Sequence, residues 1–501
     1  MPSKRITIID LYSDEPAGLG VPPYLGTYPR YIAGAFLKEK REVFYLTIDD
    51  IRYCYNYNSN VPKVKLSGKT DIKIFHLTKN KNNVHQILRS SDEIVISGGA
   101  HTSGKYLSAI PGNLKEIIPI IHKFNSRKIL AGPLASKFGS AFHGGKHVRA
   151  KDKDYENFDE IDYYYMGIND YNKIMEYAVP GAQIVKQIPY PIIAELETSS
   201  GCSRQPGCSF CTEPLKGCQK FREQIDIVNE AKALSRLGVN MFRLGKQSCF
   251  YSYKQGKAIK TEKFLKPISA LNPKILHIDN ANPVNVITEE GRKITKLILK
   301  YCTEGNVAAF GVESFDESVV RQNNLNSNPE TTFSAIRELN KMGKARGKNG
   351  MPFFLPGINI LLGLKGETRS TFQKNLDALK QVYDEGLMLR RINIRQVVPY
   401  FGTDLYNTVG DKFIKKNKKH YYSFRKKIRE QIDFPMLQRL LPEGTALRDV
   451  YTEIWDGKTT FARQFGTYPL IIGIKGRLPL EKYINVRVKR HMLRSVVGEE
   501  I

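Results

Sequence analysis

A strand followed by a helix recurs six times between about residues 191 and 405 of this chain. The mean spacing of about 40 residues fits βα units with insertions, which curl into an open barrel rather than a flat sheet. Polar residues or glycine follow each strand, and barrel sites form at those ends. The sequence therefore predicts a partial (β/α)6 barrel over residues 186–410. Its predicted strands are 192–197, 240–244, 275–279, 307–313, 357–362 and 392–397.

Residues 1–185 alternate short apolar runs with helical stretches. Strands interleaved with helices predict an α/β domain with a doubly wound parallel sheet. Gly98-Gly99 and Gly132-Pro133 follow two of the runs, at the edge where such sheets bind ligands, although ordinary tight turns are the simpler interpretation of either pair. The predicted strands are Ile6–Asp10, Val43–Ile48, Glu93–Ser97 and Lys128–Ala131.

The sequence of residues 411–444 predicts a basic helical linker. Within it, 412–429 is rich in lysine and interleaved with aromatics. A solvated helix face and a polyanion contact both remain open, the second because Tyr421, Tyr422 and Phe424 could offer stacking surfaces. Residues 445–501 carry four or five short strands between Gly and Pro turns, which predicts a small OB-like β barrel.

The composition restricts the possible partners. The 501 residues are 41% hydrophobic and 25% charged, the balance of a globular protein of several domains. The formal net charge of +27 favours RNA, DNA or an anionic membrane surface, unless the whole proteome is lysine-rich. No apolar run could span a bilayer and the N-terminus reads as a strand, so we expect no membrane span and a cytoplasmic location.

Seven cysteines are too few and too clustered for a disulfide scaffold. Three of them, Cys202, Cys208 and Cys211, share a loop rich in Gly and Ser, and three thiolates on a four-iron cubane leave one iron open. S-adenosylmethionine (SAM) can chelate that iron and yield a 5′-deoxyadenosyl radical on reduction. Structural zinc needs a fourth ligand, and Cys218 lies outside zinc-ribbon spacing. The other cysteines, taken as packing residues, are Cys54, Cys218, Cys249 and Cys302.

These three cysteines, with Phe210 before the last, resemble the radical SAM signature, although five residues instead of three separate the first pair. Gly311-Val-Glu-Ser314 is similar to the family's Gly-x-Glu-Ser segment. Gly363-Leu-Lys-Gly-Glu-Thr368 is similar to its Gly-Leu-Pro-Gly-Glu-Thr turn, and Leu244-Gly-Lys-Gln247 stands where the family often has Gly-Gly-Glu. The resemblance implies a [4Fe-4S] cluster and SAM, with cofactor contacts from Phe210, Gly245, Gln247, Glu313, Ser314, Gly363 and Gly366.

Polar side chains near the ends of the third and sixth barrel strands are candidates for substrate contact or a proton step. His277 and Asp279 end the third strand, and a structural role for His277 is equally open. Asn393 and Arg395 share one face of the sixth, where Arg395 could meet a SAM carboxylate or an RNA phosphate. The predicted catalytic set is His277, Asp279 and Arg395.

Longer phrases resemble an uncharacterised, mainly archaeal family of radical SAM Fe-S oxidoreductases. Its members often carry a helix-hairpin-helix segment after the β module, which we expect to be absent here because the chain ends just past that module. The phrases are Asp14–Pro23, His277–Pro283, Arg390–Gln396 and Arg463–Pro469.

The C-terminal module, with Gly473-Ile-Lys-Gly476 and Ser495-Val-Val-Gly498, is similar to the TRAM domain, which binds tRNA in methylthiotransferases. Those enzymes hold a second cluster on three N-terminal cysteines, whereas only Cys54 precedes this barrel, so sulfur insertion by that route is disfavoured. The N-terminal domain resembles the cobalamin-binding domain of radical SAM methylases. Its Asp-x-His-x-x-Gly motif is missing, so cobalamin would bind without a histidine ligand or the domain is structural.

Together these patterns predict a radical SAM enzyme that modifies RNA, most plausibly tRNA. We expect it to receive electrons from a donor such as ferredoxin or flavodoxin. Two alternatives stay open: a cobalamin-type radical SAM methylase acting on lipid or protein, and a non-enzymatic iron–sulfur protein that binds RNA. The substrate, the bond formed and the oligomeric state do not follow from the sequence.

Overall fold

The computed structural model describes residues 4–12, 23–55, 76–99, 109–135, 140–142, 146–148, 152–162 and 170–501. The family phrase at 14–23 falls almost wholly outside these residues. Contacts divide the chain into two compact units. Unit 1 comprises 1–196 and 225–242, and unit 2 comprises 197–224 and 243–501. In the described residues, no helix is both long enough and apolar enough to cross a bilayer.

Unit 1 contains a five-stranded sheet in which every neighbouring pair is parallel. The strands of unit 1 before residue 192, which include the five of this sheet, are Arg5–Asp10 (β1), Tyr24–Leu25 (β2), Glu42–Thr47 (β3), Glu93–Ser97 (β4), Arg127–Ala131 (β5), Ser140–Phe142 (β6), Lys146–Val148 (β7) and Glu160–Ile161 (β8). Its helices there are Thr27–Lys38 (α1), Ile48–Tyr55 (α2), Val84–Ser90 (α3), Leu114–Ile121 (α4), Asp152–Tyr155 (α5) and Tyr171–Gly181 (α6).

The sheet order β3-β1-β4-β5-β8 is the flavodoxin-like order 2-1-3-4-5 of doubly wound folds. Every residue of β4 is buried, as expected for a central parallel strand covered on both faces. Its one charged residue, Glu93, accepts a hydrogen bond from Arg41 Nη1 at 3.0 Å. The predicted doubly wound domain is therefore confirmed.

The predicted barrel strands are present within two residues of their expected limits, except that 357–362 begins three residues earlier. The strands of this region are Ile193–Glu197 (β9), Ser199–Ser200 (β10), Lys220–Phe221 (β11), Met241–Gly245 (β12), Ile275–Ile278 (β13), Asn280–Ala281 (β14), Asn306–Glu313 (β15), Phe354–Leu362 (β16) and Arg391–Gln396 (β17). The helices are Gln224–Arg236 (α7), Ala258–Ser269 (α8), Pro283–Val286 (α9), Glu289–Tyr301 (α10), Glu317–Gln322 (α11), Pro329–Gly343 (α12), Arg369–Asp384 (α13) and Asp404–Thr408 (α14).

Strands β14, β15, β16 and β17 form a four-stranded sheet in that order. All its pairs are parallel, and strand alternates with helix along the chain, as βα units require. Parallel strands bring their carboxyl ends to one edge. The residues that follow β15, β16 and β17 therefore lie side by side.

The C-terminal residues form a closed five-stranded barrel, which confirms the predicted OB-like module. Its order is β18-β19-β20-β22-β21, and β21 pairs back onto β18. The strands are Ala446–Trp455 (β18), Thr459–Gln464 (β19), Leu470–Lys475 (β20), Tyr483–His491 (β21) and Val496–Glu500 (β22). Helices Lys412–Ile428 (α15) and Phe434–Leu440 (α16) precede them.

Helix α15 is amphipathic, with buried residues at helical spacing. Tyr421 is 9% exposed and Phe424 3%, so neither ring is available for stacking, contrary to the sequence expectation. Tyr422 is 54% exposed and remains available. Helical periodicity separates the three rings, because residues 421 and 424 share the buried stripe whereas residue 422 does not.

Candidate active site

The three predicted metal ligands lie in one loop of unit 2, between β10 and β11. The two short strands pair antiparallel, Ser199 with Phe221 and Ser200 with Lys220, so they close the loop at its base. Gly201 has a φ of +76°, and a Cβ there would stand 2.9 Å from two backbone carbonyl oxygens. The loop therefore needs glycine at this point to fold back past the cysteines.

The thiols of Cys202, Cys208 and Cys211 are close enough to interact electrostatically. Burial raises the pKa of Cys208 to about 11, with Arg204 opposing the shift. Burial likewise raises the pKa of Cys211. Arg204 Nη1 donates to Cys208 Sγ at 3.2 Å, and the Arg204 backbone N–H donates to Cys202 Sγ at 3.4 Å. A thiol in such surroundings keeps its proton until a metal replaces it.

The donor set of this loop fits an iron–sulfur cluster. Iron–sulfur clusters are held by cysteine thiolates and tuned by hydrogen bonds to sulfur, and both features occur here. No three potential ligands in the described residues meet at the separation that a single metal ion requires. The ligands of a cubane bind three different irons and are therefore spaced more widely than those of one ion.

Asn323 and Asn324, which follow α11, fasten the cysteine loop. Asn323 Oδ1 accepts from Ser209 Oγ at 2.8 Å, and Asn324 Nδ2 donates to the carbonyls of Pro206 and Gly207 at 2.7 and 3.0 Å. Arg204 Nη2 completes the contact with Asn324 Oδ1 at 3.0 Å. Neither asparagine was predicted from the sequence, since nothing local marks a residue whose partners in the cysteine loop lie more than 100 positions away.

Glu313 ends β15 in an unusual backbone conformation. Its φ is +64°, and the pairing with β16 shifts between Gly311 and Glu313. A non-glycine residue held there is strained, and such strain collects at functional sites. Desolvation raises the pKa of Glu313 to about 8, against the charge of Arg395. The Glu313 carboxyl and Cys208 lie close enough to interact electrostatically, which places the predicted SAM contact beside the cluster loop.

Ser314 and Gly363 have structural partners. The Asp316 backbone N–H donates to Ser314 Oγ at 3.1 Å, so Ser314 shapes the chain after β15. At Gly363, φ is +98° and a Cβ would come within 2.5 Å of Ile414, which explains the glycine by the close approach of α15. Its N–H donates to Glu367 Oε2 at 2.9 Å. At Gly366, where φ is +80°, a Cβ would meet only the end of the Gln322 side chain.

The turn 363–368 is tied to the cysteine loop through Asn323. Lys365 N–H donates to Asn323 Oδ1 at 3.2 Å, and Asn323 Nδ2 donates to Lys365 O at 2.9 Å. Phe210 and Cys208 pack against an apolar cluster that includes Leu364 and Ile414. The structure thus brings the cysteine loop, through Cys208 and Phe210, against the turn 363–368, which joins two parts of the predicted site from distant sequence segments.

Gln247 and Gly245 end β12. Gln247 is buried, its Oε1 accepts from Thr198 Oγ1 at 3.3 Å, and its Nε2 donates to Leu244 O at 3.0 Å. Gly245 O accepts from the Thr198 N–H at 3.3 Å. Both residues therefore join neighbouring strand ends, and the Gln247 amide already has protein partners.

The structure gives His277 a structural place among the predicted catalytic residues. Its Nε2 bonds the Glu304 carbonyl at 3.1 Å and its Nδ1 accepts from the Thr467 N–H at 3.1 Å. Burial lowers the pKa of His277 to about 4, so the ring is neutral. Neither nitrogen is left for a proton step. His277 instead fastens the β19–β20 connection of the C-terminal barrel to β13.

Asp279 and Arg395 lie in a polar region that also contains Tyr468 from the C-terminal barrel. Asp279 is buried and forms an ion pair with Arg243 of β12. The Arg391 guanidinium lies 4.3 Å from the centre of the Tyr468 ring. Burial raises the pKa of Tyr468, reinforced by Asp279 and opposed by Arg391, Arg243 and Arg395. Tyr468 belongs to the phrase 463–469, whose family resemblance was the only signal that could have singled it out.

Comparison with known proteins agrees with this geometry. A family model described as the radical SAM superfamily matches residues 196–379, which span the cysteine loop, Glu313 and the turn 363–368. The uncharacterized protein MJ0274 of Methanocaldococcus jannaschii is 44% identical, and the match covers 99% of this chain and 93% of that protein. An uncharacterized protein of Archaeoglobus fulgidus is 38% identical, with 99% and 90% covered.

A further relative has a named activity. The tRNA-2-methylthio-N(6)-dimethylallyladenosine synthase of Endomicrobium trichonymphae is 21% identical, and the match covers 63% of this chain and 70% of that protein. The two archaeal relatives match over nearly their whole length, and the matched family model contains the three-cysteine loop. This chain belongs to the radical SAM superfamily, in an archaeal group that includes MJ0274.

Proposed function

We propose that this protein is a radical SAM enzyme that modifies RNA, and that this RNA is tRNA. The observation that carries the proposal is the joining of the three-cysteine loop, Glu313 and the turn 363–368 at one edge of the barrel. A radical SAM domain implies a [4Fe-4S] cluster and SAM. When bound, the cluster supplies the electron that cleaves SAM to methionine and a 5′-deoxyadenosyl radical.

The chain's own residues hold and shield this site. Cys202, Cys208 and Cys211 would ligate three irons, and Arg204 donates hydrogen bonds to the sulfurs of Cys202 and Cys208. Phe210 and the apolar cluster around Leu364 exclude water from one side. Glu313 and Arg395, close enough to interact electrostatically, would orient the polar groups of SAM.

The charge of α15 supports RNA as the substrate class. Of its exposed lysines, only two form ion pairs with carboxylates in the described residues, Lys415 with Asp411 and Lys426 with Glu430. Clustered lysines neutralise phosphates and release counterions. The exposed lysines are Lys412, Lys415, Lys416, Lys418, Lys419, Lys426 and Lys427.

The C-terminal barrel supports the same substrate class. Trp455 and Tyr483 are 36% and 42% exposed, and each has a cation over its ring: Arg477 at 4.9 Å and Lys274 at 3.1 Å. Exposed aromatics with basic neighbours on a small β barrel are the means by which OB-like modules hold single-stranded nucleic acid. The module's likeness to TRAM and the relative named for a tRNA modification point the same way.

The proposal is tested by comparing nucleosides from total tRNA of cells with and without the gene, using mass spectrometry. We expect one modified nucleoside to be missing from the deletion strain and to reappear when its tRNA is treated with reconstituted enzyme, SAM and a reductant. Identical profiles for tRNA and other RNA would refute the RNA substrate.

A cobalamin-dependent methylase acting on lipid or protein is the second candidate, favoured by the 2-1-3-4-5 order of the unit 1 sheet. At the described part of that sheet's carboxyl edge, two glycines are explained by close packing within the domain. A Cβ on Gly98 would meet the side chains of Leu134 and Leu11, and one on Gly132 would meet the Gly98 backbone. Corrinoid absorbance retained after hydroxocobalamin treatment and desalting would support this candidate, and its absence would leave unit 1 a structural domain.

A further inference from the structure

Two asparagines occupy one layer of the barrel, below the cofactor turn. Asn359 on β16 pairs in register with Gly311 on β15 and with Asn393 on β17. Asn359 and Asn393 are both half-buried, whereas their neighbours Ile358 and Ile392 are 1% exposed and face the other way.

The face of β16 that carries Asn359 is the one that faces the apolar cluster around Leu364. Leu361 lies two residues beyond Asn359 and therefore on the same face. It packs in the apolar cluster that also includes Cys208 and Phe210. Glycine at 311 leaves room for the Glu313 carboxyl at this layer, since a Cβ there would approach Glu313 Oε1 to 3.0 Å.

The amides of this layer are only partly used. Asn393 Nδ2 donates to Asn359 Oδ1 at 3.2 Å, and Arg391 Nη2 donates weakly to Asn393 Oδ1 at 3.4 Å. Among the described residues, the Asn359 amide nitrogen has no hydrogen-bond acceptor. Arg391 precedes Asn393 by two residues, and its guanidinium lies over the Tyr468 ring; we call this pair the Arg391–Tyr468 floor.

We propose that Asn359 and Asn393 bind the hydrogen-bonding edge of a nucleobase that the RNA inserts into the barrel, above the Arg391–Tyr468 floor. This inference rests on the proposed function. A base inside a helix is out of reach of a buried radical, so it must be extruded before it reacts. A side-chain amide matches a base edge because it presents a donor and an acceptor side by side.

The test uses total tRNA from the gene-deletion strain as the probe. Asn359→Leu and Asn393→Leu keep the volume and remove the hydrogen bonds, and Asn393→Asp keeps the shape but replaces the amide donor. Each is expected to lower kcat/KM for product nucleoside by about 5- to 100-fold, the value of one base-edge contact. Cluster content, the SAM dissociation constant and SAM cleavage without RNA should stay unchanged. Gln373→Leu, an exposed amide on α13, serves as the control.

Each contrary outcome is distinguishable. Variants that modify tRNA as well as the wild type would overturn the inference and leave the proposed function standing. A weaker SAM affinity with unchanged use of tRNA would assign the layer to the adenine of SAM instead. If the wild-type enzyme modifies no nucleoside, the proposed function fails and this inference with it. Asn393→Asp separates loss of recognition from loss of folding, because its shape is conserved.

Discussion

At the scale of single residues, Asn323 joins two segments that look independent in the sequence. Its side chain bonds Ser209 in the cysteine loop and Lys365 in the turn 363–368. Both polar atoms of this side chain make two hydrogen bonds each: Oδ1 accepts from Ser209 and Lys365, and Nδ2 donates to Lys365 O and, at 2.8 Å, to Val319 O. The two motifs therefore act as one structural unit.

We expect Asn323→Ala to lower the free energy of unfolding by about 2–3 kcal/mol, since it leaves buried backbone groups of the turn unpaired. Urea unfolding of the anaerobic protein, followed by circular dichroism, measures this change. Gln322→Ala, at the exposed neighbouring position, should cost less than about 0.5 kcal/mol. Equal effects of the two substitutions would contradict the role of Asn323.

Glu367, in the turn 363–368, makes the stability of the protein depend on pH. Burial raises its pKa from the usual 4.5 to about 7, although Gly363 and Asn417 donate to its carboxylate. The native protein therefore holds a proton that the unfolded chain has released, so this residue's contribution to stability falls as pH rises from about 4.5 to about 7.

Glu367→Gln removes that proton equilibrium. Between pH 5 and pH 8, the variant should lose less stability than the wild type, by up to about 3 kcal/mol, because one pKa unit corresponds to about 1.4 kcal/mol. Urea unfolding of both proteins at the two pH values gives the difference. Parallel loss in both proteins would show that Glu367 does not titrate in this range.

The sequence located the residues of the candidate site along the chain, but it did not show the contacts that hold them in place. The cysteine loop and Glu313 stand at the ends of strands that hydrophobic periodicity locates, so their neighbourhood followed from the barrel. His277 also ends a strand, yet its partner Thr467 lies 190 positions away, and only the folded chain shows its ring to be fully bonded. Asn323 and Tyr468 were hidden for the same reason, because their partners Ser209 and Arg391 lie in other segments of the chain.

At the scale of elements, α15 links a charged surface to the cofactor site. Its inner face reaches the turn 363–368, where Asn417 Nδ2 donates to Glu367 Oε1 at 3.0 Å and Ile414 packs against Gly363. Its outer face carries Lys412, Lys416 and Lys419 at helical spacing, all exposed. The basic composition was visible in the sequence, whereas the attachment to the turn was not.

We expect the triple variant Lys412→Gln, Lys416→Gln, Lys419→Gln to weaken binding of tRNA and to flatten its salt dependence. The slope of log K against log salt should fall in magnitude by about 2, because each lost phosphate contact to a single strand contributes about 0.7 to it. Filter binding between 50 and 300 mM KCl would measure it.

A triple variant of equal charge change serves as the control: Lys296→Gln, Lys341→Gln, Lys344→Gln, all exposed and away from α15. This control should keep the wild-type slope. If both triple variants change the slope alike, then diffuse charge rather than α15 binds the RNA.

At the scale of the whole molecule, the chain combines a doubly wound sheet in unit 1 with the β14–β17 sheet and a closed β barrel in unit 2. The β19–β20 connection of the closed barrel reaches His277 and Arg391, so this module contributes Thr467 and Tyr468 to the radical SAM barrel. Its strands were predictable from alternation and turns. The contact of this module with the radical SAM barrel was not predictable, because such a contact leaves no periodic pattern in the sequence.

The most direct test of the account is SAM cleavage by the full-length protein after anaerobic reconstitution with iron and sulfide. With dithionite, the wild type and Cys218→Ala, an exposed cysteine outside the proposed ligand set, should both form 5′-deoxyadenosine. Cys202→Ala, Cys208→Ala and Cys211→Ala should each lose the 4Fe cluster signal and form none. Cleavage that persists in any of these three variants, or none in a wild type with a full cluster, would contradict the account.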